Sequence, residues 1–313
     1  MNILSLFDGM SCGQIALNKA GIKYDNYFAS EIDKFAMKVT QSNYPNTIQL
    51  GDVTKIDSSK LPKIDLLIGG SPCTDFSFAG KRMGMITKDN IEITDLQTYI
   101  KLKHEGFQFE GESFLFWEYV RILKEIRPKY FLLENVRMTD KWKRVITNTM
   151  GVEPIYINSR LVSAQERKRF YWTNIPNITI PEDRGISFSD IVGEGWYCGA
   201  MRGRRIDPNS NSRSDYNRDI PIKQYIECRS DNKTNCLTTV RKDNVVVNYK
   251  GPRKSLDEVK YRWLTPNECE HLQTVPLNYT AFVSDNQRTR MLGNGWTVDV
   301  IAHIFSFLPK THN

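Results

Sequence analysis

Cys73 is the residue in this chain best placed for covalent chemistry. It closes the turn Gly69-Gly70-Ser71-Pro72-Cys73 after the apolar run 64–68. That run predicts a buried strand, and open α/β sheets bind ligands at the carboxyl ends of their strands. Pro72 fixes its own φ and restricts the residue before it, so the turn holds the cysteine in a defined place. A thiolate there would be a nucleophile facing a crevice; the alternative is a structural cysteine behind a loop.

Acidic and basic side chains farther along the chain predict partners for such a nucleophile. Glu134-Asn135 follows four apolar residues, and partial desolvation would favour a protonated Glu134 that donates a proton. The alternative is a buried acid satisfied by a backbone amide. Gln165, Arg167 and Arg169 alternate, so we expect one strand to carry them on one face. Two guanidiniums there predict an anionic or carbonyl-rich partner, or ion pairs with acids such as Glu134.

A second group of residues predicts a nucleoside site. The first strand ends in Phe7-Asp8-Gly9, where glycine lets a ligand approach the backbone. Glu31 ends the next strand 22 residues after Gly9, a spacing that suits a carboxylate bonding a ribose diol. Asp52 follows a third predicted strand and is expected to accept from an adenine amino group. The motif G-x-G-x-x-G is absent, which favours a nucleoside without pyrophosphate; each acid alone is also explained as a helix cap or turn residue.

Hydrophobic patterns predict the elements that position these residues. Short apolar runs alternate with helical patterns, which is typical of a parallel sheet covered by helices. The predicted strands of this part are 3–7, 26–30, 65–68, 129–134, 155–161 and 169–173. Helical spacing predicts helices over 96–103 and 114–126, the latter with Phe116, Tyr119, Val120, Leu123 and Ile126 on its apolar face.

The remaining segments depart from this alternation. The polar stretch 81–113 predicts either a lid or a passive insertion. The stretch 185–260 predicts a loop-rich, partly β region with short strands at 236–240 and 245–249. A capping box with proline at the first helical position, Thr265-Pro266-Asn267-Glu268, starts a later helix. The last helix places Val298, Ile301, Ala302, Phe305 and Leu308 on one face.

Composition limits the class of protein. A chain of 313 residues with 40% hydrophobic content can bury one large core, or one core plus a smaller domain. No run approaches the roughly 18 apolar residues of a membrane span, and the start lacks the regions of a signal peptide. We therefore expect a soluble cytoplasmic protein. The six cysteines form no C-x-x-C pair and the four histidines do not cluster, so no metal site is predicted.

Positive charge is concentrated in one part of the chain. Residues 184–262 contain 16 Lys and Arg against 10 Asp and Glu, and therefore carry +6 of the net charge of +7. A basic, arginine-rich module beside a nearly neutral body predicts binding to a polyanion. The alternative is a solvated basic face without a partner.

The order of these motifs resembles the conserved blocks of the cytosine-C5 DNA methyltransferase family. The blocks in chain order are 7–13, Glu31, Asp52, Pro72-Cys73, Glu134-Asn135-Val136, Gln165-x-Arg167-x-Arg169 and Gly293-Asn294-Gly295. The resemblance covers nearly the whole chain. The stretches 163–167 and 290–298 further resemble the de novo branch of that family and related phage and bacterial enzymes.

The resemblance implies a fold and a domain order. The implied fold class is α/β: a Rossmann-like, S-adenosylmethionine-dependent methyltransferase sheet with helices on both faces, plus a smaller, loop-rich, partly β target-recognition domain. The implied domains are 1–183 for catalysis and cofactor binding, 184–262 for target recognition, and 263–313 as a segment that returns to the catalytic domain.

The resemblance also implies the roles of individual residues. Cys73 would attack C6 of a cytosine flipped out of duplex DNA, and Glu134 would contact N3 and the exocyclic amine. Arg167 would hold the base carbonyl, and Arg169 would order the site. The full implied catalytic set is Pro72, Cys73, Glu134, Asn135, Arg167 and Arg169. The implied contacts of S-adenosylmethionine are Phe7, Asp8, Gly9, Glu31, Ile32, Asp52, Val53, Asn294 and Trp296.

The predicted function is a sequence-specific DNA (cytosine-5)-methyltransferase, either solitary or paired with a cognate restriction endonuclease. We expect a monomer that acts on duplex DNA. The alternatives are a tRNA cytosine-5 methyltransferase and a catalytically inactive DNA-binding homologue, although the intact Cys73, Glu134, Arg167 and Arg169 oppose the latter. The candidate base-reading residues of the basic module are Arg202, Arg204, Arg205, Arg213, Arg229 and Arg241.

Overall fold

A computed structural model describes residues 1–72 and 85–309. Within these ranges the chain forms twelve strands and nine α-helices. The strands are β1 (Asn2–Leu6), β2 (Asn26–Ser30), β3 (Ile48–Gln49), β4 (Leu66–Gly70), β5 (Tyr130–Val136), β6 (Ile155–Asn158), β7 (Lys168–Thr173), β8 (Tyr197–Arg204), β9 (Lys223–Cys228), β10 (Val245–Val247), β11 (Lys254–Ser255) and β12 (Tyr261–Trp263). The helices are α1 (Cys12–Lys19), α2 (Lys34–Asn43), α3 (Leu96–His104), α4 (Phe116–Ile126), α5 (Asp140–Met150), α6 (Ser189–Val192), α7 (Pro266–Leu272), α8 (Asp285–Asn294) and α9 (Val298–Phe305). Across the described ranges, no helix combines the length and apolar character needed to cross a membrane.

Two compact units divide the chain. The first comprises Met1–Asn158, Lys168–Ile180 and the chain from Val298 onward, and the second comprises Ser159–Arg167 and Pro181–Thr297. The first unit contains a seven-stranded sheet and the second a five-stranded sheet.

The seven-stranded sheet has the order β3-β2-β1-β4-β5-β7-β6. Strands β3, β2, β1, β4 and β5 pair in parallel, whereas β7 is antiparallel to both β5 and β6. All six strands predicted for this part are confirmed as members of this sheet. The antiparallel direction of β7 was not predicted, because an apolar run does not encode the direction in which a strand pairs. The strand order reverses between β1 and β4, which is the place where open α/β sheets bind ligands.

Helices cover both faces of this sheet. Leu67 of β4 belongs to the same buried cluster as Phe116 and Trp117 of α4. On the opposite face, a Cβ added to Gly13 of α1 would lie 2.5 Å from Cδ1 of Ile68. The backbone of α1 therefore rests directly on the sheet, and the central strands are apolar on both sides. The predicted α/β fold class is confirmed.

Helix α4 buries three of the five residues predicted for its apolar face, Phe116, Tyr119 and Val120, together with residues that were not predicted. Trp117 and Ile122 are fully buried, whereas Leu123 and Ile126 are only partly buried. Glu118 is also fully buried, which the spacing of apolar residues did not predict. The helix is enclosed over a wide arc, so a single apolar stripe does not describe its environment.

The second unit contains an antiparallel sheet of order β11-β9-β8-β10-β12. One side of this sheet buries Met201, Ile226, Val245 and Val247. The strand predicted at 245–249 is confirmed as β10, whereas the described segment 236–240 contains no strand. Strands β8 and β9 were missed because their sequences, YCGAMRGR and KQYIEC, mix glycine and charged residues into the apolar alternation. The predicted capping box is confirmed: Thr265 and Glu268 exchange side-chain to backbone hydrogen bonds at the start of α7.

Gly293 of α8 lies against the backbone of the preceding segment 238–239. A Cβ at this position would lie 2.4 Å from the carbonyl carbon and oxygen of Thr238 and 2.8 Å from the nitrogen of Thr239. Because these are backbone atoms, no side-chain rotation relieves the overlap.

We expect Gly293→Ala to lower the free energy of unfolding by about 1–3 kcal/mol, the usual cost of overpacking. This loss would exceed the roughly 1 kcal/mol by which alanine is otherwise favoured over glycine inside a helix. Urea denaturation followed by circular dichroism measures it. Asn286→Ala, at an exposed position of the same helix, is the control and should change stability little. A Gly293→Ala protein as stable as the wild type would show that the two backbones do not meet as described.

Candidate active site

The carboxyl ends of β2, β1, β4 and β5 carry most of the predicted site residues. Phe7 follows β1, Glu31 follows β2, Pro72 follows β4, and Glu134 lies near the end of β5. Because these four strands are parallel neighbours, their carboxyl ends meet at one edge of the sheet. The structure therefore brings these residues to the same edge. The predicted nucleophile Cys73 lies outside the described residues.

The turn after β1 has an unusual backbone. Phe7, Gly9 and Ser11 have φ angles of 57°, 59° and 64°. Left-handed conformations of non-glycine residues are costly and persist only where the surroundings enforce them. One contact that holds this turn is the hydrogen bond from the Gly9 N–H to Oε2 of Glu31, at 2.7 Å. Among the described residues other than its two chain neighbours, no atom lies within 4 Å of the position that a Cβ of Gly9 would occupy.

Glu31 joins the turns that follow β1 and β2. In addition to the bond from Gly9, its Oε1 accepts from the backbone N–H of Ile32 at 2.7 Å and of Asp33 at 2.8 Å. A carboxylate has about four acceptor positions, so Oε2 retains capacity for a further donor. Beside it, the apolar side chain of Ile32 is 76% exposed. Glu31 is thus a structural turn residue that still presents an acceptor next to an exposed apolar surface.

Asp52 caps the short 3-10 helix Val53–Lys55. Its Oδ1 accepts from the N–H of Thr54 at 2.9 Å and from the Thr54 hydroxyl at 2.8 Å. Although burial opposes it, these hydrogen bonds and the charges of Lys55 and Lys103 hold the pKa of Asp52 below its ordinary value. The carboxyl is therefore ionised at neutral pH. The helix-cap alternative is what the structure shows, and contact with adenine stays a prediction.

Asn135 connects the end of β5 to the turn after β4. Its side chain is fully buried, and Nδ2 donates to Oγ of Ser71 at 3.0 Å and to the Ser71 carbonyl at 3.3 Å. Its Oδ1 accepts from the N–H of Val136 at 2.8 Å. The amide therefore holds the residue that immediately precedes Pro72 in the turn leading to Cys73.

Glu134 forms an ion pair with Arg169, Nε to Oε1 at 2.7 Å, with both side chains nearly buried. The antiparallel pairing of β5 and β7 explains the contact. Glu134 lies opposite Tyr171, which places Arg169 two residues away along β7 on the same face. Of the alternatives for Arg169, the structure thus shows the ion pair. The pair fixes the orientation of the Glu134 carboxylate at the edge of the sheet.

The expectation that one strand carries Gln165, Arg167 and Arg169 is wrong, because β7 begins at Lys168. Gln165 instead forms a parallel bridge with Thr234 of the second unit.

Arg167 is buried in the second unit among carbonyl groups. It donates to the carbonyl of Leu237 at 2.9 Å and to that of Gly295 at 2.7 Å, and is 3% exposed. The Gly295 contact holds the turn that contains Asn294, which is exposed, and Trp296, which is half-buried. The carbonyl-rich partner that was predicted for this guanidinium is therefore supplied by the protein, and its contact with a base stays a prediction.

Sequence reasoning missed a buried amide network in the second unit. Gln165 Nε2 donates to the carbonyl of Leu272 at 2.6 Å and to Oε1 of Gln273 at 2.8 Å. Gln273 in turn donates to the carbonyl of Leu292 at 2.6 Å and accepts from the Thr297 hydroxyl at 2.9 Å. Gln165 has Glu166 as its neighbour and Gln273 has Thr274 as its neighbour, and neither local sequence reveals the partners. The network fixes the segment before Arg167 relative to the ends of α7 and α8.

Asp8 is a buried acid at the start of the β1 turn. The hydroxyl of Tyr27 donates to its Oδ1 at 2.7 Å. Burial raises the pKa of Asp8 from 3.8 to about 6, although the hydrogen bonds of Ser5, Tyr27 and Ser11 act in the opposite direction. The folded protein therefore binds this proton more tightly than the unfolded chain does.

We expect a pH dependence of stability that Asp8→Asn removes. The stabilising contribution of the protonated acid is complete below about pH 4 and is lost as the pH rises through about 6. Between pH 5 and pH 7, the wild type should lose about 1 kcal/mol more unfolding free energy than Asp8→Asn. Urea denaturation of both proteins at the two pH values measures this. Equal losses would mean that Asp8 titrates normally.

Comparison with known proteins defines the class. The sequence profile of the family described as C-5 cytosine-specific DNA methylase matches residues 1–177 and 201–310. The chain belongs to this family, and the predicted resemblance and class of enzyme are confirmed.

Particular relatives come from bacteria and phages. The chain is 30% identical to the type II methyltransferase M1.ScrFI of Lactococcus lactis subsp. cremoris over 319 aligned positions, which cover 96% of this chain and 75% of that protein. It is 37% identical to the orphan methyltransferase M.Rho11sI of Bacillus phage rho11s, over 62% of this chain and 37% of that protein. The match to the type II methyltransferase M.NgoBV of Neisseria gonorrhoeae, at 32% identity, covers 55% of this chain and 41% of that protein. The aligned part is thus less than half of the last two proteins.

Solved structures share the fold. The methyltransferase EhMeth of Entamoeba histolytica superposes with a TM-score of 0.64 at 14% identity, over 98% of this chain and 97% of that chain. The Dnmt2 methyltransferase of S. pombe superposes with a TM-score of 0.61 at 13% identity, over 98% of both chains. At these identities the likeness concerns the fold alone, and it agrees with the sheet described above.

Proposed function

We propose that this chain is a DNA (cytosine-5)-methyltransferase that modifies a cytosine flipped out of a specific duplex sequence. One observation carries the proposal: the buried amide of Asn135 binds Ser71. This contact joins the end of β5, which carries Glu134, to the turn that leads from β4 to Cys73. Glu134, the proposed acid, and Ser71, which comes two residues before the proposed nucleophile in the sequence, therefore lie at adjacent strand ends.

The residues around the β1 and β2 turns fit S-adenosylmethionine. Gly9 has no side chain, and no described residue beyond its chain neighbours lies within 4 Å of its Cβ position, which suits a ligand close to the backbone. Glu31 retains an acceptor for a ribose hydroxyl, and the exposed Ile32 offers an apolar surface to a purine ring. The ionised Asp52 is suited to accept from an amino group. When bound, S-adenosylmethionine supplies the methyl group for the reaction.

Further proposed cofactor contacts follow from the family resemblance. The turn after β1 contains Phe7 and Asp8, and the short 3-10 helix that Asp52 caps begins at Val53. Asn294 and Trp296 belong to the turn of the second unit that Arg167 holds through Gly295. Their role in binding the cofactor rests on their place in the family's motif order.

The proposed chemistry begins at Cys73. Its thiolate forms a bond to C6 of the flipped cytosine, and the displaced electron pair moves into the ring, where Glu134 supplies a proton at N3. Arg169 keeps the Glu134 carboxyl directed at the site, and Arg167 is proposed to hold the base carbonyl. C5 of the resulting enamine is nucleophilic enough to accept the methyl group. Loss of the C5 proton to solvent then forms the C5=C6 double bond as the C6–S bond breaks, which releases Cys73 as a thiolate, and N3 returns its proton to Glu134. Base flipping costs a few kcal/mol, which contacts to the base and DNA backbone must offset.

We expect Cys73→Ser to reduce methylation by at least about a hundredfold, because a serine hydroxyl is far less ionised than a thiol at neutral pH. Affinity for S-adenosylmethionine should change less than about twofold. On DNA containing 5-fluorocytosine, the wild type should remain covalently attached, since C5 then has no proton to lose, and Cys73→Ser should not. Transfer of a labelled methyl group to unmethylated genomic DNA and to tRNA, followed by bisulfite sequencing, measures activity, substrate and motif.

The half-buried Cys228 supplies the control, and Cys228→Ser should keep wild-type activity. Full methylation by Cys73→Ser would refute the covalent route. Labelling of tRNA without labelling of DNA would refute the DNA substrate and would favour the alternative function, a tRNA cytosine-5 methyltransferase.

Residues 184–262 are proposed to select the DNA sequence. Their six candidate arginines differ in how far their charge is already neutralised. Four of them pair with acids: Arg202 with Asp243, Arg204 with Glu227, Arg213 with Asp215, and Arg229 with Asp231. Nε of Arg205 is buried. Arg241 is exposed, lies over the ring of Trp263 at 5.4 Å, and has no ion pair with any residue in the described ranges. Arg241 therefore meets a phosphate or base edge without first giving up an acidic partner.

We expect Arg241→Ala to weaken DNA binding about tenfold to hundredfold, corresponding to a good arginine contact of about 1–3 kcal/mol. If Arg241 reads a base, the methylated motif should relax at one position. If it binds a phosphate, affinity should fall evenly across sequences and the salt dependence should flatten. Arg213→Ala, which removes an arginine already paired with Asp215, is the matched control. Binding measurements at several salt concentrations distinguish a base contact from a phosphate contact. If Arg213→Ala weakened DNA binding as much as Arg241→Ala or more, the inference that the unpaired Arg241 makes the stronger contact would be refuted.

A further inference from the structure

Glu118 of α4 is fully buried and bound from three directions. Its Oε1 accepts from the hydroxyl of Tyr99 at 2.5 Å and from Nζ of Lys103, both on α3. Its Oε2 accepts from Nε of Arg121, one turn farther along α4, at 2.7 Å. Although burial opposes ionisation, these donors hold the pKa of Glu118 below its ordinary value. A buried carboxylate that is paired in this way has a fixed position, because leaving any of these charges unpaired is costly.

Arg121 extends the network to the segment that begins with Asp52. Its Nη2 donates to the carbonyl of Val53 at 3.3 Å, and Nη1 and Nη2 each lie 3.4 Å from the carbonyl of Ile56. The two carbonyls bracket the 3-10 helix that Asp52 caps. One guanidinium thus binds both ends of this short turn through its Nη atoms, while its Nε donates to Glu118.

We propose that Glu118 and Arg121 are positioning residues for the cofactor: Glu118 orients Arg121, and Arg121 fixes the turn that presents Asp52 and Val53. This inference rests on the proposed S-adenosylmethionine site. A turn that is ordered before binding spares the ligand the entropic cost of ordering it. Because Tyr99 and Lys103 belong to α3, the same carboxylate also secures that helix of segment 85–113 beside the turn.

Arg121→Met tests the proposal, since methionine keeps an unbranched apolar stem but has no donor. The dissociation constant of S-adenosylmethionine should rise about tenfold, while kcat at saturating cofactor and KM for DNA stay within about twofold. Arg121→Lys, which retains a charged donor, should recover part of the affinity, and Glu118→Gln should weaken binding several-fold. Glu125→Gln is the matched control: Glu125 is an exposed partner of Arg121 at 2.9 Å, and its loss should leave binding within about twofold.

Hydrogen exchange of the amides at 53–56 supplies a second readout. These amides should exchange faster in Arg121→Met than in the wild type, with β1 and β4 unchanged, and added S-adenosylmethionine should slow them again. If Arg121→Met does not fold, as judged by circular dichroism, Arg121→Lys and Glu118→Gln carry the test. Unchanged affinity in a folded variant, or an equal loss in cofactor affinity, kcat and KM for DNA, would overturn the positioning role.

The failure of the underlying site is distinguishable from the failure of this inference. A wild-type protein that does not bind S-adenosylmethionine would refute the proposed function itself. If the wild type binds S-adenosylmethionine, and Asp52→Ala lowers this affinity but Arg121→Met does not, the proposed site stands. Only the role of Glu118 and Arg121 would then be refuted.

Discussion

Parallel pairing of β2, β1, β4 and β5 directs four strand ends to one edge of the sheet, and the candidate site depends on this constraint. The strands themselves are apolar on both faces because helices cover both sides. Polar side chains are therefore excluded from most of their length and appear where the strands end. The turn after β1 and the turn after β2 are then close enough for Glu31 to accept from Gly9. The same alignment lets Asn135 reach Ser71.

Glu134 and Asn135 depart from this pattern, since they lie within β5 and not beyond it. Both are accommodated by specific partners. The antiparallel strand β7 places Arg169 against Glu134, and the turn after β4 supplies Ser71 to Asn135. Neither side chain would be tolerated there without a partner, because a buried polar group that lacks one costs about 1–3 kcal/mol or more.

Buried charges recur in both units as links between separate segments of the chain. Glu118 joins α3 to α4, and Glu270 in the second unit accepts from the N–H groups of Asn278 and Thr280 while pairing with Arg288. Lys233 donates to three backbone carbonyls, those of Arg160, Ser163 and Ile186. Such groups add little net stability over an apolar core, but removing one partner typically costs 3–5 kcal/mol. Their effect is to select one arrangement of the surrounding loops.

Local patterns in the sequence determined six of the seven strands of the first sheet, the helix over Leu96–His104, the capping box at Thr265 and the order of the family's motifs. These features depend on residues within a few positions of one another, so they can be recognised in the sequence before the fold is known. The tertiary structure decided the antiparallel entry of β7 between β5 and β6, and with it the partner of Arg169. It also decided that Arg167 binds carbonyls of the second unit, and that Glu118 is buried in a helix whose spacing indicated a simple apolar stripe. The sequence left the ion pair of Arg169 with Glu134 and the carbonyl-rich partner of Arg167 as alternatives and could not choose between them, because the partner of a buried charge is chosen by elements that meet only when the chain folds.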